Sequence, residues 1–257
     1  MKRREFLAAG VAGVAGVNAA AASIGKSEKA KREYFELRQY HLLNRAKTGV
    51  VGEFLRNVGI PAMNRIGIQP IGVFNAMYGS SSSTLYVLLV HKSLESVVQA
   101  SARLLADNEY RKSAFVNAAL SEPAYVRIES SLMVAFKDMP RLEVPEKKPR
   151  IFELRIYESH SAKAAKKKIE MFNEGGEIAI FKKTGLQPVF FGETIIGPKL
   201  PNLTYMLAFD DMATRDKRWG TFGGDPDWKK LRANPAYKDT VSNITDIILR
   251  PARYSQI

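Results

Sequence analysis

Phe35-Glu36-Leu37-Arg38-Gln39-Tyr40 returns 117 residues later as Phe152-Glu153-Leu154-Arg155-Ile156-Tyr157. Both copies alternate with period two, so each reads as a β-strand with two unlike faces. Phe152, Leu154 and Ile156 share one face; Glu153, Arg155 and Tyr157 share the other. A carboxylate, a guanidinium and a phenol in line suit neither a plain core nor a bare surface. That face is therefore the first candidate for function.

Outward from the first copy, Val50, Val51, Phe54, Leu55, Val58 and Met63 recur at helical spacing between Arg45 and Ile66, with Pro61 as a kink or restart and Gly67 as the stop. Ile71 to Met77 and Leu85 to Val90 read as a hairpin through Gly79 to Ser83. A helical region from Ser93 to Ala119, broken near Asp107, leads to a last strand from Tyr125 to Phe136. That order is βαββαβ, the ferredoxin-like unit. After a linker carrying Pro140, Pro145 and Pro149 the order is rebuilt: Gln69-Pro70 returns as Gln187-Pro188, Tyr86-Val87-Leu88 as Tyr205-Met206-Leu207, and the run from Asp107 as the run from Asp225. The near-constant offset marks a duplication.

The expected architecture is α+β: two tandem ferredoxin-like βαββαβ domains packed sheet to sheet as a pseudo-dimeric α/β barrel. The expected boundaries are 34–137 and 150–257, with 138–149 as linker and 23–33 as a flexible lead-in. Facing sheets would bring Glu36, Arg38 and Tyr40 towards Glu153, Arg155 and Tyr157 in a shared interior. Buried charge demands pairing, so Glu–Arg bridges are expected there, some of them crossing between halves. The same six residues could alternatively line a polar ligand pocket.

The chain opens with Arg3-Arg4, then Phe6-Leu7 and an Ala/Gly/Val run to Ala22. This resembles a twin-arginine export signal with small residues for cleavage, so residues 1–22 are read as a leader and the protein as periplasmic or envelope-bound. The run is too weakly apolar for a good membrane anchor, so no stable membrane insertion is expected after cleavage. Loss of the leader removes Lys2, Arg3, Arg4 and Glu5 and lowers the net charge from +13 to +11.

The basic charge invites nucleic acid, yet the cations are scattered and no nucleic-acid motif accompanies them. A solvated basic surface is the reading, with acidic lipids or acidic substrates as the remaining use. There is no cysteine, hence no disulfide and no thiolate chemistry. His41, His91 and His160 are isolated, which is no metal-ligand pattern, so no metal and no cofactor are expected; haem finds no support. Asp225-Pro226-Asp227 has the chemistry of a helix start, and Trp219 and Trp228 read as packing.

Phe152 to Tyr157, Leu186-Gln187-Pro188-Val189-Phe190-Phe191-Gly192, and the run Arg215, Trp219, Phe222, Asp225-Pro226-Asp227-Trp228 together resemble the NIPSNAP family, over all of 150–257 and more loosely over the first half. In the first half Tyr110 and Asn108 stand where Trp228 and Pro226 would be. The resemblance implies a dimeric α/β-barrel superfamily fold, here in a bacterial, two-domain form, but no reaction. That superfamily includes cofactor-free oxygenases, isomerases and haem enzymes. Two functions are carried forward: a small-molecule-binding or interaction protein of the cell envelope, and a cofactor-independent oxygenase or isomerase. The enzyme would use a sheet/helix cavity, with Tyr157, His160 and Glu153 as candidate catalytic groups and Arg155 holding an anion. A monomeric pseudo-dimer or a further homo-oligomer fits either.

Overall fold

The computed structural model describes residues 31–44, 46–78 and 83–257. Residues 1–22, read above as a leader, and most of the expected lead-in lie outside the described residues, as does the tip of the first hairpin. The first half runs β1 (Tyr34–Leu42), α1 (Lys47–Phe54), a π-helical turn (Leu55–Gly59), α2 (Ile60–Arg65), β2 (Ile71–Ala76), β3 (Thr84–His91), α3 (Leu94–Ala106), α4 (Asn108–Lys112) and β4 (Tyr125–Ala135). The second runs β5 (Ile151–Glu158), α5 (Ala162–Phe172), α6 (Glu177–Lys183), β6 (Gln187–Ile196), β7 (Asn202–Phe209), α7 (Met212–Gly224), α8 (Pro226–Arg232), a short 3-10 turn (Pro235–Tyr237) and β8 (Asn243–Pro251).

Local chemistry explains the breaks. Pro61 cannot donate to the preceding turn, and the helix absorbs it by widening over Leu55–Gly59 and continuing to Arg65. Gly67 and Gly185 end equivalent helices, both with φ in the left-handed region, at +84° and +82°. Asp107 and Asp225 break each half's second helical region by accepting backbone N–H bonds from Tyr110 and from Asp227 and Trp228.

All strand pairs are antiparallel and close into one barrel in the order β1-β3-β2-β8-β5-β7-β6-β4. Each half supplies four neighbouring strands. Two seams join them, Phe74 to Ala76 on Leu249 to Pro251, and Leu132 to Ala135 on Gly192 to Ile196. The C-terminal tail extends the first seam: Ala252 N donates to Val73 O, Gln256 N to Ile71 O, and Ile71 N to Gln256 Oε1. Ile257 is thereby buried in the barrel core.

That core takes residues from all eight strands, including Phe35, Leu37, Phe74, Leu88, Met133, Phe152, Leu154, Phe190, Met206 and Leu249. Two further cores lie outside the barrel, one beneath α1–α4 around Phe54, Val73 and Val87, the other beneath α5–α8 around Phe172, Phe181, Phe191 and Tyr205.

The sequence reading has one strand face the wrong way round. Phe35, Leu37, Phe152 and Leu154 fill the barrel, while Glu36, Arg38, Tyr40, Glu153, Arg155 and Tyr157 turn outward to the helices. The two polar triplets do not meet in a shared interior, and the Arg38–Glu36 and Arg155–Glu153 bridges each stay within one half. The physical reason is room and solvation. An eight-stranded barrel is just wide enough to be filled by side chains, and dry apolar packing leaves a carboxylate no donors. A helix laid over the sheet supplies them.

Candidate functional site

The second half holds the richest polar cluster, between β5, β8 and α7. Glu153 is fully buried and accepts four bonds: from Arg155 Nη1 at 2.8 Å, from Arg215 Nε at 2.9 Å and Nη2 at 2.7 Å, and from Trp219 Nε1 at 2.7 Å. Arg215 and Trp219 sit four apart on α7 and so project from one face of the helix onto the strand. Asp246 on β8 faces Arg155 across the ladder, and its Oδ2 lies 3.3 Å from both Arg155 Nη1 and Arg215 Nη2. Two carboxylates thus share two guanidiniums.

Their proton affinities part accordingly. Burial works against Glu153 ionising, but the bonds from Arg215 and Trp219 outweigh it and hold its pKa below the usual value. Burial and the Glu153 charge push Asp246 up to about 6. The Arg155 guanidinium carbon lies 4.8 Å from the Trp219 ring centre and 5.6 Å from that of Tyr157, and its Nε is buried without a hydrogen-bond partner among the described residues.

The seam continues under the helices. Tyr157 and Tyr205 exchange a hydroxyl bond at 2.8 Å. Burial raises the pKa of both phenols, that of Tyr205 well above its ordinary value, so neither is a base near neutrality. Lys168 Nζ meets Glu177 Oε2 at 2.8 Å with both side chains buried, and lies 4.6 Å from the Phe172 ring and 5.9 Å from that of Trp228. Burial raises the Glu177 pKa despite that pairing.

The first half keeps only the root of this arrangement. Arg38 binds Glu36 through Nε at 2.7 Å and Nη2 at 2.9 Å, and Ser130 Oγ donates to Glu36 at 2.8 Å. His91 is fully buried with Nε2 3.5 Å from Glu36 Oε2. Burial opposes the Glu36 charge, yet His91, Arg38 and Ser130 bring its pKa down to about 2. The ladders make the loss visible: Arg38 pairs with Val87 and Ser130, whereas Arg155 pairs with Tyr205 and Asp246. At the helix offset of 118, Val97 and Ser101 replace Arg215 and Trp219. Tyr40 is buried against Tyr125, their ring centres 5.8 Å apart.

Of the sequence-nominated residues, Glu153, Arg155 and Tyr157 come together; Glu36, Arg38 and Tyr40 form a separate, simpler group. His160 stands apart, exposed on the turn after β5. The strand pattern alone does not point to Asp246, Tyr205, Lys168 or Glu177 as polar-site residues, and in the sequence Arg215 and Trp219 stand out only as motif and packing residues. The i, i+4 spacing of Arg215 and Trp219 on a helix was the available signal. Among the described residues no group of His, Asp or Glu is arranged to hold a metal ion.

A closed eight-stranded antiparallel barrel built from two βαββαβ halves, each carrying its helices outside, is the dimeric α/β-barrel architecture contained in one chain. The NIPSNAP family profile matches twice, over residues 35–140 and 152–256, and the chain belongs to that family. Two solved structures are similar over nearly the whole fold. One, from Fusobacterium nucleatum and provisionally described as a monooxygenase, has a TM-score of 0.59 at 10% identity, over 86% of this chain and 93% of its own. The other, from Lactobacillus acidophilus with the same description, has a TM-score of 0.56 at 11% identity, over 86% and 94%. A NIPSNAP family protein from Agrobacterium tumefaciens is 25% identical over 42% of this chain and 98% of its own, with a TM-score of 0.37. No curated protein sequence matches the chain.

Proposed function

We propose that this NIPSNAP protein works by binding rather than by covalent chemistry, as an exported bacterial envelope protein that holds a small organic molecule or a partner. The observation that supports this is that the candidate acid and base groups of the polar seam are already committed to protein partners. Glu153 takes all four of its bonds from protein groups, Tyr157 is spent on Tyr205, and the barrel is filled with apolar side chains. A general acid or base needs a face open to substrate, and none of the clefts described has Glu153, Tyr157 or His160 in its wall.

Room for a ligand exists elsewhere. A cleft of about 530 Å³ lies between the Gly175-Gly176 turn and α8, with Ile180 and Leu231 as its apolar lining and Asp227 and Lys230 as its charges. That volume and that mixture suit a small organic molecule with a polar end. Protein purified from its own envelope is the test: native mass spectrometry should find a retained small molecule, lost in Leu231→Trp, which fills the cleft. Turnover of dioxygen or an isomerisation by ligand-free protein, abolished in Tyr157→Phe, would overturn the binding reading in favour of the cofactor-independent oxygenase or isomerase. Export is tested separately, by whether Arg3→Lys with Arg4→Lys retains the protein in the cytoplasm.

A further inference from the structure

Helix α3 carries an apolar stripe that the fold does not need. Leu94, Val98 and Leu105 are 45%, 80% and 49% exposed. At about 100° per residue they fall within roughly 40° of one another around the helix. Ser101 extends the stripe on one side, the exposed Glu95 lies about 60° beyond Val98 on the other, and the helix is anchored through the buried Ala100 and Leu104. The equivalent helix α7 has Asp216 at the position of Val98 and Gly223 at that of Leu105, so the same architecture is built without such a stripe.

Two residues before Leu94 stands Lys92, in a cleft of about 360 Å³ shared with Lys31, Glu33 and Arg141. Glu33 is committed to the Leu142 N–H at 2.8 Å. Lys31, Lys92 and Arg141 have no carboxylate within 4 Å among the described residues, whereas Lys182 and Lys199 each have one and Lys183 has two.

We infer that the α3 stripe and the Lys31/Lys92/Arg141 cleft form one surface that rests on an acidic phospholipid membrane, the aliphatic side chains dipping into the interface and the cations meeting lipid phosphates. An apolar helix face flanked by cations is the chemistry of interfacial binding. A second copy of the chain fits less well: three aliphatic side chains fall far short of the ~800 Å² per partner of a stable interface, and two strongly cationic chains repel. The inference rests on the envelope reading only for the presence of a membrane.

The test is cosedimentation of the purified chain, with and without residues 1–22, on phosphatidylcholine vesicles with and without phosphatidylglycerol. Binding is expected only where phosphatidylglycerol is present, and to weaken with salt. Lys92→Glu and Val98→Asp should each lower the partition coefficient by about fivefold or more, while Lys217→Glu on α7, which makes the same charge change, should alter it less than twofold. Both target side chains are exposed, so unchanged melting curves are expected. Equal loss in Lys217→Glu, binding indifferent to Val98→Asp, displacement by free inorganic phosphate alone, or a Val98-dependent dimer in solution would overturn it. The native mass spectrum of a retained small molecule is unaffected by these variants, so the two readings fail separately.

Discussion

Glu153 shows how one residue organises a layer. A buried carboxylate is stabilising only as long as its donors remain, and the two arginines are unequal donors: Arg215 gives two bonds and Arg155 one. Arg215→Ala should therefore destabilise by about 3 kcal/mol and Arg155→Ala by less, read as the difference in urea unfolding free energy. Equal losses would show that the bond count does not govern this site. Asp246 carries the opposite dependence on pH. Its folded pKa, about 6, lies above that of an unfolded aspartate, so the folded state holds the extra proton and its contribution is lost as pH rises from about 4 to 6. With the side chain 35% exposed, solvent screening limits the effect to about 1 kcal/mol. Glu36 acts the other way, contributing above the unfolded glutamate pKa and losing that contribution as pH falls towards 2. The melting-temperature advantage of the wild type over Asp246→Asn should shrink as pH rises from about 4 to 6, while the acid limb stays the same in both.

At the scale of elements, what was legible follows from what periodicity can encode. The strand Phe35 to Tyr40, the hairpin and the break at Asp107 were readable because apolar spacing, turn residues and a capping aspartate are local signals. Which strand face would meet the helices was not. Period two says that Glu153, Arg155 and Tyr157 travel together, and nothing in the strand says that Arg215 and Trp219 will arrive from 62 and 66 positions away. The C-terminal tail is not legible either, since Ser255-Gln256-Ile257 has no periodicity. It is nonetheless structural: Ser255 Oγ accepts the Val73 N–H at 3.0 Å and Ile257 is completely buried. Ile257→Ala should cost about 3 kcal/mol through the cavity left in the barrel, measured by chemical denaturation. A change below a few tenths would mean that the tail merely lies on the barrel.

The whole molecule is a pair of half-barrels that share one core, and that sets their interdependence. Each half alone would expose its Phe35 and Leu37, or Phe152 and Leu154, together with two unpaired strand edges. The covalent link is not what holds them, because the contact is made by the two seams and by rings such as Phe35 on Phe190 and Phe74 on Phe152, each pair 4.9 Å apart. Chains cut within 138–149 and co-expressed should therefore reassemble into a one-to-one complex with the fold intact, while either half alone self-associates or precipitates. Size-exclusion chromatography with light scattering distinguishes these outcomes. Gly192 sharpens the test, because a side chain there would place its Cβ 2.8 Å from the Met133 Cβ across the β4–β6 seam. Gly192→Val should weaken the intact chain by about 2 kcal/mol and abolish reassembly of the cut one, where the seam has no tether to enforce it. If the cut halves instead stay separate, soluble and folded, the shared core is not what stabilises either of them.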